Sequence, residues 1–163
     1  MCGIFGAMTT PGRTLAHEGL LPAMAASLHH RGPDGARLLR STRCALGATR
    51  LRIVDLTEQA DQPFISPDRE TWLVCNGEIY NACDLRRRFA DYPYRSQTDI
   101  ETIVPAYRKF GLDVFRELDG MFAIAIWDAS RGSLILARDR AGEKPLFYAR
   151  IGQELWFASE MQA

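Results

Sequence analysis

The sequence has no excess of either charge: 20 Lys and Arg stand against 20 Asp and Glu in 163 residues. A zero net charge argues against a protein built mainly to hold nucleic acid, which carries a basic excess or patch. No apolar run is long enough to span a bilayer. The N-terminus lacks the basic start and apolar stretch of a secretory signal. The expected setting is the cytoplasm, with neither membrane nor nucleic acid as partner. Cysteine is sparse. Cys2, Cys44, Cys75 and Cys83 form no C-x-x-C pair, so neither a zinc site nor a disulfide framework is signalled, and no metal is expected. Internal repeats, low-complexity tracts and long linkers are missing too. That leaves one domain over residues 1–163, with a composition of 47% hydrophobic and 25% charged residues that is ordinary for a globular protein.

What is present reads as helices followed by hairpins. Cys2–Met8 is a short apolar run ending in the turn-like TTPGR, a buried strand. Leu21, Met24 and Leu28 recur at helical spacing, with Pro22 tolerable in the first turn. Gly32 and Pro33 in HHRGPDG end that helix. Ala45–Arg50 and Thr71–Asn76 read as strands, after which Gly77 permits a tight turn. Asn81 is positioned to cap a short helix through Phe89, and the basic run Arg86–Arg88 reads as its solvated face. Thr98 and Glu101 have the spacing of a capping box. Ile100, Ile103, Val104, Tyr107 and Phe110 follow as one apolar stripe. Pro105 interrupts it and predicts a kink, and Gly111 ends it. MFAIAIWD is an unbroken strand buried on both faces. ASRG leads to SLILAR as a hairpin, and PLFYAR and LWFAS form another around Gly152. Such an order suggests an α+β layered fold.

Chemistry concentrates at a few positions. MCGIFG places Cys2 where removal of Met1 leaves a thiol and a free α-amine on one residue. Their ordinary pKa values of roughly 8.5 and 7.7–8.0 allow the amine to act as base for its own side chain; a buried structural cysteine is the alternative. In CNGEIYN, Asn76 offers a side-chain amide and Gly77 an unobstructed N–H, donors that can stabilise an oxyanion. The alternative is a plain hairpin turn. Arg50 can hold an α-carboxylate with two prongs, and Asp99 an α-ammonium, or they are a solvated strand residue and a carboxylate favouring a helix N-terminus. His29 and His30 lack metal-ligand spacing. Gly142 and Lys144 lack the Walker pattern of a nucleotide phosphate site.

Taken in order, MCGIFG, HRGPDG, RLRIVD, NGEIYN, TDIET, LDGMFAIAIWD, RDRAGEKPLFYA and FASE resemble the glutaminase domain of glutamine-hydrolysing asparagine synthetase, a class II glutamine amidotransferase, over essentially the whole chain. HRGPDG favours this branch over glucosamine-6-phosphate synthase and amidophosphoribosyltransferase. The resemblance implies an N-terminal nucleophile (Ntn) hydrolase fold, a four-layer αββα sandwich with two antiparallel sheets. It implies Cys2 as nucleophile and Asn76 and Gly77 as the oxyanion pair. It further implies Arg50, Leu51, Ile53, Val54, Asn76, Gly77, Glu78 and Asp99 as the glutamine-binding set, with Arg31 in support. L-glutamine is the implied substrate, hydrolysed through a Cys2 thioester with no cofactor in this domain. ATP and Mg belong to a synthetase domain, which is expected as partner domain or subunit because no S-G-G-x-D-S-like loop occurs here. Excised domain, stand-alone subunit and remnant all remain open, as does a homodimer. Two other functions stay open: a catalytically silent glutamine-sensing or scaffold module docking on a synthetase, and an Ntn hydrolase of another amide.

Overall fold

The computed structural model describes residues 2–163. Met1, whose removal is expected to free the Cys2 amine, lies outside the described residues. The strands are β1 (Gly3–Thr9), β2 (Gly35–Arg40), β3 (Cys44–Arg50), β4 (Phe64–Ile65), β5 (Thr71–Ile79), β6 (Gly120–Asp128), β7 (Ser133–Arg138), β8 (Phe147–Ile151) and β9 (Glu154–Ala158). The α-helices are α1 (Leu21–Ser27), α2 (Ala82–Arg88), α3 (Ile103–Phe110) and α4 (Val114–Glu117). One sheet runs β2-β3-β1-β9-β8 and the other β4-β5-β6-β7, with all paired neighbours antiparallel.

The two-residue period of a strand sorts these residues into layers. In β1, Ile4 points between the sheets, where it joins Leu46, Val74, Ala123, Ala125, Trp127 and Phe157. Phe5 and Ala7 point the other way, onto Leu21, Met24 and Leu28 in and just beyond α1. In β5, Val74 faces the first sheet, while Leu73, Cys75 and Ile79 pack under Ile103, Val104 and Tyr107 of α3. The order is therefore helix, sheet, sheet, helix. β6 lies in the middle of its sheet with both faces covered, which is why its sequence is apolar without alternation.

Several local expectations are corrected. Gly77 is not a turn: β5 continues through it to Ile79, with Gly77 opposite Phe122. Glycine is required there for closeness, because a Cβ would lie 2.2 Å from the Met121 carbonyl oxygen. Thr98 and Glu101 form no capping box. The Glu101 carboxylate instead accepts from Arg95 N, Ser96 N and Ser96 Oγ, tying down the preceding loop. Asn81 stands before α2, but its amide bridges Glu117 O and Asp119 N rather than capping the helix. Arg86 is not part of a solvated face; it stacks 4.0 Å over Tyr94 and donates to the Ser96 and Thr98 carbonyls. In place of a kink at Pro105, the segment divides into a 3-10 turn, Ile100–Thr102, and α3. That division places Pro105 in a first helical turn, where its missing N–H is not needed. The fully buried Ile103 and Val104 beside it are each worth roughly 1.5–3 kcal/mol of burial. β2, β4 and α4 are elements that the sequence patterns above do not mark. Gly111, with φ of 57°, ends α3 as expected.

Candidate active site

A cavity of about 280 Å³ opens at one end of the sandwich, lined by Cys2, Arg50, Leu51, Ile53, Val54, Ala60, Gln62, Phe64, Cys75, Asn76, Gly77, Glu78, Thr98, Asp99, Ile100, Met121 and Lys144. Residues scattered from position 2 to position 144 in the sequence thus meet around one space. Arg31 is the exception among the site residues implied by the resemblance. It lies outside this lining and pairs with Glu160 at 2.7 Å, beside His30.

Cys2 stands immediately before β1, whose start is held from two sides. Gly3 N donates to Thr49 Oγ1 at 3.1 Å, and Ile4 N donates to Ser159 Oγ at 2.9 Å. Both bonds are buried, so the head of the strand is fixed to β3 and to the segment after β9. By strand alternation Cys2 projects to the side of Ile4, and Asn76 to the side of Val74. Ile4 and Val74 share the inter-sheet cluster, which places the thiol and the amide on facing surfaces.

Hydrogen bonding along β5 shows what its free edge offers. In an antiparallel strand, successive residues direct their backbone groups to opposite sides. Odd-numbered residues of β5 face away from β6. Thr71 bonds to Ser66 across that edge, Leu73 is paired with Phe64, and Cys75 bonds to the side chain of Gln62. Ile79 N donates to Asp99 Oδ2 at 2.6 Å. Gly77 has the same parity, so its N–H is directed to the same edge, into the cavity between Gln62 and Asp99. Next to it, Asn76 is 1% exposed, and its Nδ2 has no hydrogen-bond partner among the described residues. A buried amide donor without a partner costs about 1–3 kcal/mol, a strain expected where a structure is built to meet charge that arises only during reaction.

Two thiols line the cavity, and burial separates their chemistry. Cys75 is 1% exposed, and desolvation, aided by the negative charge of Asp99, pushes its thiol well above the ordinary range. A thiol kept neutral is a poor nucleophile. Cys2 is only partly buried. Asp99 itself is raised above an ordinary aspartate, mainly by burial, although the Ile79 N–H bond opposes the shift and Glu78 adds to it.

Arg50 is 7% exposed, and its terminal nitrogens serve the loop that walls the cavity. Nη1 donates to the Thr57 carbonyl at 2.7 Å and pairs with Asp61; Nη2 donates to the Asp55 carbonyl and, at 3.5 Å, to that of Val54. The two-pronged guanidinium expected to face a carboxylate is turned, in this structure, to its own loop. That loop carries Leu51, Ile53 and Val54; Ile53 is 73% exposed. It is joined to the segment before Asp99 by the Asp55 carboxylate, which accepts from Gln97 N at 2.8 Å. Hydrogen bonds from Gln97 and Thr57 hold Asp55 down to about 2.

Among the lining residues that the sequence does not mark as site residues are Lys144 and Gln62. Lys144 is 6% exposed and brings a cation to the Cys75 side of the cavity. Gln62, 8% exposed, bonds to the Cys75 backbone in both directions. No short motif marks Gln62, because its role comes from a contact distant in sequence.

Comparison with known proteins identifies the family and the fold. A family model described as a glutamine amidotransferase domain matches residues 1–163. Asparagine synthetase [glutamine-hydrolyzing] 2 of Bacillus subtilis is 35% identical over all of this chain, which spans 22% of that relative. Asparagine synthetase [glutamine-hydrolyzing] 3 of Arabidopsis thaliana is 37% identical, again over the whole chain and 28% of the relative. Among solved structures, the glutamine phosphoribosylpyrophosphate amidotransferase of B. subtilis superimposes with a TM-score of 0.81 at 21% identity, covering 99% of this chain and 42% of that one. At that identity the likeness speaks to the fold, which is the Ntn arrangement of two antiparallel sheets between helices.

Proposed function

The chain belongs to the glutamine amidotransferase domain family, and from that premise we propose that it hydrolyses L-glutamine with Cys2 as nucleophile and passes the ammonia to a synthetase partner. The observation that carries this reading is the convergence of Cys2, the unpartnered Asn76 Nδ2 and the edge-facing Gly77 N–H on one cavity bounded by Asp99.

Glutamine enters with its α-ammonium against Asp99. Its α-carboxylate meets Arg50, displacing the long contact to the Val54 carbonyl. With Met1 removed, the Cys2 amine takes the thiol proton and the sulfur attacks the side-chain amide carbon. The carbonyl oxygen gains negative charge and is met by Asn76 Nδ2 and Gly77 N–H. Collapse breaks the C–N bond, and the protonated amine gives its proton to the leaving ammonia. Water then adds to the thioester, the C–S bond breaks, and glutamate is released. No step calls for a metal or cofactor in this domain. The named relatives are glutamine-hydrolysing asparagine synthetases of which this chain spans about a quarter. An ATP- and Mg-dependent amidation in the remaining part of such a protein is the proposed destination of the ammonia.

The test pairs intact mass with ammonia release. Chain trimmed to Cys2 should turn over glutamine, chain retaining Met1 should be nearly inactive, and folded Cys2→Ala should release none. Normal turnover by Cys2→Ala, or full activity while Met1 is still attached, would refute the reading.

A further inference from the structure

Gln62 occupies a place in the sheet that belongs to a strand. β4 pairs with β5 as Ile65↔Trp72 and Phe64↔Leu73. Continued by two residues, that register sets Gln62 opposite Cys75. The backbone does not make the pairing there. Instead the Gln62 side chain does, with Nε2 donating to Cys75 O at 2.9 Å and Cys75 N donating to Oε1 at 2.6 Å. A carboxamide presents an N–H and a C=O side by side in one plane, as a strand residue presents its own N–H and C=O to a paired neighbour, and Gln62 is 8% exposed, so water does not compete.

We infer that Gln62 is a positioning residue for the oxyanion-stabilising edge, acting through Cys75 on Asn76 and Gly77. The inference rests on the function proposed above. Along the free edge of β5, the Cys75 groups are held by Gln62 and the Ile79 N–H by Asp99. Gly77 lies midway between these two fixed points, so its N–H is presented to the cavity from a backbone clamped on both sides. Asn76 shares the peptide bond that follows the Cys75 carbonyl. Loss of the Gln62 clamp lets this stretch shift, and small displacements of a charge-stabilising donor weaken the transition state more than the bound substrate.

The experiment uses the mature chain with Gln62→Leu, which keeps bulk and removes both bonds, and Gln62→Glu. The readouts are kcat and KM for glutamine, and affinity for glutamate γ-semialdehyde. The Cys2 thiol adds across the C=O of this aldehyde to give a tetrahedral adduct whose oxygen occupies the same site. A third readout is the rate of Cys2 alkylation by iodoacetamide, which needs no oxyanion donor. For Gln62→Leu, kcat and aldehyde affinity should fall together by about 10- to 100-fold, with KM and alkylation within about threefold. Gln62→Glu can make both bonds only while its carboxyl is protonated, so its kcat relative to wild type should rise as pH falls. Unchanged kcat and aldehyde affinity in a folded variant would overturn the inference, as would a uniform loss in all readouts, which marks a structural role. If Gln62→Leu does not fold, the pH dependence of Gln62→Glu decides, and a flat ratio to wild type refutes. Wild-type inactivity, or turnover by Cys2→Ala, would instead strike the proposed function itself.

Discussion

Replacing Asn76 by alanine should separate catalysis from stability. Its Nδ2 is buried without a partner among the described residues, so deleting the carboxamide breaks no bond made by that donor. The orphaned donor costs about 1–3 kcal/mol. Removing it offsets most of the packing lost from a side chain 1% exposed. The net change in folding free energy should stay within about 1 kcal/mol, a shift of roughly 2–4 °C in Tm for a domain of this size. The transition state has no such compensation. One oxyanion donor is worth about 2.7–4 kcal/mol, and at about 1.36 kcal/mol per decade kcat should fall roughly 10²- to 10³-fold. KM should hold, because the amide meets charge absent from bound glutamine. The assay couples ammonia release to a dehydrogenase and records thermal unfolding on the same preparation. A kcat within about threefold of wild type, or a rise in KM alone, would show that the amide does not face the developing oxyanion. A large fall in Tm would show that the carboxamide is a structural element.

The Gly77→Ala variant should be destabilised by about 1–3 kcal/mol or more and inactive, since its Cβ would meet the Met121 carbonyl oxygen at 2.2 Å and Phe122 Cα at 2.7 Å, both backbone atoms. Gly35→Ala, with nothing within 4 Å, is the control for denaturant unfolding, and equal midpoints for the two variants would refute the close-approach argument. Asp99 links pH to substrate use. Burial raises its pKa above the ordinary aspartate value, so as pH falls it loses the charge needed for an α-ammonium earlier than an exposed aspartate would, and KM for glutamine should climb on that side. Its effect on folding has the opposite sign. The raised pKa favours the folded state below the unfolded value and that contribution is lost as pH rises through the folded one; Asp99→Asn should remove both dependences, and a KM profile that survives the substitution would release Asp99 from this role.

Where a residue's role depended on its immediate neighbours, the sequence was readable. The helix around Leu21, Met24 and Leu28, the β6 run, its hairpin with β7 and the stop at Gly111 all follow from periodicity and turn chemistry. The order of short motifs led to the family and so to the fold. Local rules failed where partners outside the motif overrode them. Thr98 and Glu101 have capping-box spacing, yet the Glu101 carboxylate finds the amides of Arg95 and Ser96 and stays there. Asn-Gly at 76 and 77 carries the strongest hairpin signal, yet β6 pairs with it through Gly120 and keeps the strand extended. In each case several hydrogen bonds outweigh a preference worth about 1 kcal/mol.

By itself, then, the sequence determined which residue types were available for the chemistry: a cysteine at position 2, an amide beside a glycine, a carboxylate at 99. Tertiary structure decided what each can do. The parity of β5 against β6 directs the Gly77 N–H to a free edge, and burial raises the Cys75 thiol while Cys2 stays partly exposed. The fold of the loop after β3 turns Arg50 onto Thr57 and Asp61, and the start of β4 only at Phe64 gives the Gln62 side chain a strand's place. Direction and desolvation are properties of assembled neighbours, and no window of adjacent residues contains them.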